Sequence, residues 1–170
     1  MSKIQLKKEL KAFDRDQLVQ LILDVYSARK EAKAYFDFFV NPDVEALSEK
    51  YKKALFKELN RGKYRDSKAR ISKIKQLLKE FASYGVDCES QIDLSLYVID
   101  MSLDVEKRLY FSKTLYNGML SILEEVVVSA DKNAIFDKVL SRINDILSGK
   151  NGTRYYTNFL RRHVGLSLLS

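Results

Sequence analysis

KYKKALFKELNRGKYRDSKARISKIKQLLK, residues 50–79, is the stretch whose reading decides the fold. Its first half continues the apolar spacing Leu47, Tyr51, Ala54, Leu55, and its second half carries Ile71, Ile74 and Leu78, a spacing that Phe81 continues just beyond it. Steps of three and four place each set on one face of an α-helix. Asn60 to Lys63, with Gly62, forms the turn, and the second helix is expected to begin at Asp66 or Ser67 and to stop at Gly85. The run is thus a helical hairpin, and it is also the most cationic part of the chain. Twelve Lys and Arg against Glu58 and Asp66 give it +10, whereas the whole chain carries +7, so everything outside it sums to −3.

The same periodicity extends in both directions. Ser2 is placed to cap a short helix over residues 3–12. Asp14 caps a long one whose inner face is Leu18, Leu21, Ile22, Val25, Ala28, Ala32, Tyr35 and Phe39. That helix must end before Pro42, because a residue preceding proline is pushed out of helical angles. Pro42 itself suits the first turn of the next helix, with Asn41 as its cap. Beyond Gly85, helices are expected over Ser90–Met101, around Leu109, Tyr116, Met119, Leu123 and Val126, and from Asp131 through Ile135, Val139, Ile143 and Ile146. A break is expected within 102–106. GKNG at 149–152 is the clearest loop, and a last helix runs from Thr153 to about Leu168.

Composition supports this reading. One Pro and six Gly in 170 residues are too few for a protein of many tight β-turns, and 46% hydrophobic with 31% charged is a globular composition. The fold expected is all-α: a single compact domain over 1–170 of about seven or eight helices. Antiparallel hairpins would form either a bundle or a short right-handed α-solenoid. No apolar run approaches the ~20 residues of a membrane span, and the N-terminus interleaves lysines with its apolar residues, unlike a signal peptide. Cys88 is the only cysteine, which excludes an intramolecular disulfide and fits a reducing compartment. A cytoplasmic location is expected.

Helical phase sharpens the charge. Lys50, Lys53, Lys57 and Arg61 follow steps of three and four, one stripe beside the apolar face. Arg65, Lys68, Lys75 and Lys79 are expected to share a flank of the second helix, while Lys52 and Lys73 point elsewhere. Stripes emerging on one side make a basic surface about 16 Å long, suited to a phosphate backbone. The alternative is a solvated face, or one balanced within the fold by Asp93, Asp100 and Asp104, themselves a stripe with Tyr97 between them. The tail TRYYTNFLRRH mixes Tyr155, Tyr156 and Phe159 with Arg154, Arg161 and Arg162; it reads foremost as a terminal helix packing Tyr156, Phe159 and Leu160 on the core.

Catalysis has little to stand on. His163 is the only histidine, flanked by Arg161 and Arg162 with no carboxylate nearby in sequence to orient it. Cys88 lies between Asp87 and Glu89, whose anions disfavour a thiolate. Asp93, Asp100 and Asp104 spread too far along a helix for one metal ion. GKNG has neither Walker spacing nor a preceding strand. No catalytic residue, cofactor or metal is expected. The leading expectation is a non-enzymatic binding or adaptor protein, its partner a protein or an anionic polymer; the alternative is weak, non-specific nucleic-acid binding through residues 50–79.

Several phrases in order carry a family resemblance: LKKEL, LVQLILDVY, AYFDFFVNPD, KYKKALFKEL, SKARISKIKQLLKEF and YNGML. Over roughly residues 4–125 the chain resembles a family of small, uncharacterised, all-helical bacterial proteins, catalogued as a domain of unknown function and common in Bacteroidota. The resemblance implies a helical fold and a bacterial cytoplasm, and carries no catalytic residues. The family tends to be acidic in the tail, where this chain has RYYTNFLRRH.

Overall fold

Ser2 and Asp14 each close a reciprocal cap. The Ser2 hydroxyl accepts from Gln5 N while the Gln5 side chain accepts from Ser2 N, and Asp14 and Gln17 do the same. Such pairs satisfy two otherwise orphaned N–H groups and fix where a helix begins. The structure, a computed structural model, describes residues 2–62, 64–148 and 152–163. Among the described residues there are nine helices and no strand beyond one isolated bridge. The fold is all-α, as expected.

The chain divides into two compact units, Met1–Asp43 and Val44–Ser170. The first holds α1 (Lys3–Leu10), α2 (Arg15–Ala28) and α3 (Lys30–Val40). The long helix expected from Asp14 to Phe39 is two helices, broken at Arg29, whose backbone is extended at φ −131° and ψ 119°. No Gly or Pro marks the break. It brings Tyr26 to Phe36 with ring centroids 6.5 Å apart, and the Tyr26 hydroxyl donates to Asp37 at 2.8 Å. That bond holds the phenol above its usual pKa. No described residue of this unit is buried.

The second unit holds α4 (Val44–Leu59), α5 (Ile71–Ala82), α6 (Cys88–Glu106), α7 (Lys113–Lys132), α8 (Phe136–Ser148) and α9 (Arg154–His163). Several boundaries differ from expectation. Pro42 lies between α3 and α4, outside both, because α4 begins only at Val44. α5 begins at Ile71 rather than Asp66 or Ser67, leaving the described residues among 61–70 outside any helix. α6 runs unbroken through 102–106 and starts at Cys88, which is therefore helical. Asp131 lies in the last turn of α7, not at the cap of α8. α9 is described to His163, without that residue's side chain; the expected stretch to Leu168 lies outside the described residues, as do residues 149–151 of GKNG.

α6 is the centre of this unit. It packs against α4, α5, α7, α8 and α9, and buries Ile92, Leu94, Leu96, Val98, Ile99, Leu103 and Val105 on more than one side. A solenoid repeat touches only its neighbours, so this arrangement is a bundle. Neighbours run antiparallel where end contacts fix the direction. In α4 and α5, Tyr51 meets Phe81 at 5.5 Å while Glu58 meets Arg70. In α6 and α7, Cys88 Sγ meets Ser129 Oγ at 3.2 Å while Glu106 accepts from Tyr116 Oη at 2.7 Å. α5 and α7 approach most closely at Gly118, where an added Cβ would fall 2.1 Å from Ile71 Cγ1. α9 seals one end of the core: Tyr156 and Leu160 are buried, Phe159 stacks on Tyr116, and the Tyr156 hydroxyl meets the buried Ser102 at 2.9 Å. Burial drives the Tyr156 phenol far above its usual pKa. The tail thus packs on the core as the sequence suggested.

Candidate nucleic-acid interface

Glu58 organises the most cationic part of the molecule. It stands on the apolar face of α4, following Leu47, Tyr51 and Leu55 at steps of four, four and three, and it is buried. Its carboxylate accepts from Arg70 N at 2.9 Å, Arg70 Nε at 3.0 Å, Arg70 Nη2 at 3.0 Å and Arg61 Nη1 at 3.1 Å. These charge-assisted bonds outweigh burial and hold its pKa down at about 2. Arg61 and Arg70 sit at the two ends of the loop between α4 and α5, so one carboxylate draws the loop closed.

Backbone bonds set the rest of its shape. Lys68 N donates to Arg61 O at 2.7 Å across the loop. Ser67 N donates to Tyr110 O at 2.9 Å, and Tyr110 N donates to Arg65 O at 2.6 Å, a parallel bridge to the segment joining α6 and α7. Gly62 takes φ +138°, and a Cβ there would lie 2.7 Å from Asp66 O, so only glycine fits. Arg108 ties the second segment to α4 by donating to Asn60 Oδ1 at 2.9 Å.

Two joined loops, 61–70 and 107–112, therefore form a ledge at one end of the bundle. On it Tyr64 is 87% exposed and Tyr110 67% exposed. Beside them Arg65 and Lys68 are exposed and make no ion pair among the described residues. The N-terminal ends of α5 and α7, with their partial positive charge, lie at this end of the bundle. So does the start of α9: Glu106 accepts from both Tyr116 Oη and Thr153 N, and exposed Tyr155 sits 5.9 Å from Tyr116. Contact with Glu106 and burial push the Tyr116 phenol far above its usual pKa, burial contributing most.

The eight cations singled out from the sequence separate into three groups. Lys50, Lys53 and Lys57 lie exposed along α4, Lys50 with its ammonium 5.8 Å from the Tyr51 ring. Arg65 and Lys68 lie on the ledge with Arg61, whose guanidinium is spent on Glu58. Lys75 and Lys79 lie on α5, where Lys75 donates to Ser121 Oγ and Glu125, each at 2.8 Å. The flank expected for Arg65, Lys68, Lys75 and Lys79 does not form, since Arg65 and Lys68 precede the helix. Lys52 does point elsewhere: it pairs with Glu49 at 2.9 Å and lies over Tyr97.

Two members of the acidic stripe, Asp93 and Asp104, are engaged away from these eight cations. Asp93 pairs with Arg142 and Asp104 with Arg108. Asp93, Tyr97 and Asp100 line an open groove of about 590 Å3 between α4, α6 and α8, whose cations are Lys52 and Arg142. Sequence reasoning missed the 107–112 partner segment, because its pairing with 61–70 joins residues more than forty apart. It also missed Glu58, although a lone acid in phase with Leu47, Tyr51 and Leu55 was a readable sign of a buried pair. Among the described residues no cluster of three or more His, Cys, Asp or Glu is arranged to hold a metal ion, and no helix is long and apolar enough to cross a membrane. The His163 side chain lies outside the described residues.

A family of unknown function, DUF6155, matches residues 1–158. The chain belongs to that family. The match covers both units and reaches into α9, beyond the span over which the sequence phrases carried the resemblance. No curated protein and no solved structure matches the chain.

Proposed function

We propose that this chain is a non-enzymatic binding module whose ledge takes an anionic polymer, with single-stranded nucleic acid the class that fits best. One observation carries the reading: two highly exposed tyrosines, Tyr64 and Tyr110, the second held by backbone bonds to Arg65 and Ser67, stand beside Arg65 and Lys68, which make no ion pair among the described residues. Exposed rings stack on unpaired bases, and neighbouring cations neutralise the phosphates between them. A rigid duplex offers its phosphates but not its base faces, so the tyrosines favour the single strand. Lys53 and Lys57 extend the positive surface along α4. Lysines and arginines with no shape-matched base contacts read little sequence, so the binding is non-specific. A bacterial cytoplasm, which the family resemblance implies, supplies such ligands.

The test is fluorescence anisotropy with a labelled single strand and a labelled duplex across a salt series. Three to five phosphates give a slope of log affinity against log salt of about −3 on the single strand. Arg65→Glu with Lys68→Glu is expected to abolish binding. Tyr64→Ala with Tyr110→Ala is expected to weaken the single strand by about tenfold or more and to leave the duplex nearly unchanged. Cys88→Ser and His163→Gln are expected to bind as the parent does. Absent binding at low salt, or binding indifferent to salt and to the charge reversal, would leave a protein partner as the reading.

A further inference from the structure

The first unit poses a separate problem. In α2, six of the eight residues from Leu18 to Val25 are apolar, and at 100° per residue they occupy more than half of the helix circumference. Asp16, Gln20, Asp24 and Ser27 take the opposite side. A helix with so wide an apolar arc ordinarily packs against more than one neighbour. α3 is the neighbour α2 has within its unit, and it leaves five apolar side chains of α2, from Val19 to Val25, 38–51% exposed. On α3 itself Phe39 and Val40 are 69% and 70% exposed.

We infer that this face pairs with the same face of a second copy of the chain. The area reaches the lower end of what a specific interface needs: these seven side chains bare on the order of 600 Å2 of apolar surface per copy, against roughly 600–1,000 Å2 a side. The occupant must bring a matching apolar face. Among the described residues of the second unit, the exposed large apolar side chains are Phe56, Tyr64, Tyr110, Val128 and Tyr155, scattered over α4, the two ledge loops, α7 and α9. Among the described residues, the densest set of exposed apolar side chains is the one on α2 and the end of α3. A patch that meets its own copy about a twofold axis is self-complementary, and two such helix pairs make a four-helix cluster whose core is this face.

Sedimentation of the full chain across a wide concentration range tests the inference. The parent is expected to sediment as a dimer at high concentration. Val19→Glu with Leu23→Glu is expected to sediment as a monomer with an unchanged helical circular dichroism signal, and to lose any dependence of its melting temperature on concentration that the parent shows. Phe39→Ser with Val40→Ser, milder changes on the other helix, are expected to raise the dimer Kd by about tenfold or more. A parent that stays monomeric at every concentration overturns the inference, and a form ending at His163 that then dimerises would assign the face to residues 164–170. A dimer untouched by both double substitutions overturns it as well.

Discussion

The two units are built from helices of the same kind and differ in what covers them. α2 and α5 are both amphipathic, of fourteen and twelve residues, with capped or sharply defined starts. In α5, Ile74, Leu77 and Phe81 are buried against α4, α6 and α7. In α2 no residue is buried, because α3 covers one stripe of a broad apolar arc. Amphipathic periodicity specifies a helix and the face it must bury, but burial comes from the number of neighbours. Five helices around α6 supply them; two helices joined at Arg29 do not.

The largest expected effect tests that contrast. Leu103→Ala, at a fully buried position on α6, is expected to destabilise the second unit by about 3–4 kcal/mol in a denaturant titration. Leu23→Ala on α2 is expected to cost less than about 0.5 kcal/mol in the same titration, run dilute enough for the chain to be monomeric. Equal costs would mean that the first unit is packed as tightly as the second.

Glu58 comes next. Glu58→Gln removes a buried charge that two arginines share, and is expected to cost about 2–3 kcal/mol. Because the folded state holds this carboxyl at about 2, below its ordinary range, its contribution is present at neutral pH. It is lost as pH falls from the ordinary carboxylate range through about 2. The parent is therefore expected to lose stability in acid more steeply than Glu58→Gln. Parallel pH profiles would show that the carboxylate is not what holds the loop.

Gly118→Ala is expected to cost about 1–3 kcal/mol, since the new methyl would overlap Ile71 where α5 and α7 meet. The smallest effect is on the ledge: Arg65→Glu with Lys68→Glu is expected to change stability by less than about 0.5 kcal/mol, as neither side chain forms an ion pair among the described residues. Urea midpoints for both would check this, and a large loss at the ledge would reclassify those cations as structural.

What the sequence disclosed follows the range of the interactions. Ser2 and Asp14 announced their caps because their partners, Gln5 and Gln17, lie three residues on. The apolar faces of α4 and α7 were legible for the same local reason, while in α5 and α8 the buried residues include Leu77 and Leu147 where Leu78 and Ile146 were expected. Arg29 was not, since SARK offers no helix breaker and the break is stabilised through the tertiary contact of Tyr26 with Phe36 and Asp37. The start of α5 was misplaced because residues 67–70 have helix-compatible side chains but spend their backbone N–H groups on Tyr110, Arg61, the Ser67 hydroxyl and Glu58. The basic character of the candidate site was visible in composition; its tyrosine-bearing shape depends on a bridge between distant segments.

The contact of Gly118 with Ile71 has a consequence across the family rather than within one molecule. Two backbones that close over a missing side chain set a fixed volume shared by both positions, so substitutions there should be paired. Relatives that carry alanine or serine in place of Gly118 are expected to carry a smaller residue, such as valine or alanine, in place of Ile71. An alignment deep enough to follow both columns would show this as compensating change, and independent drift at the two would mean that α5 and α7 separate to different distances among family members.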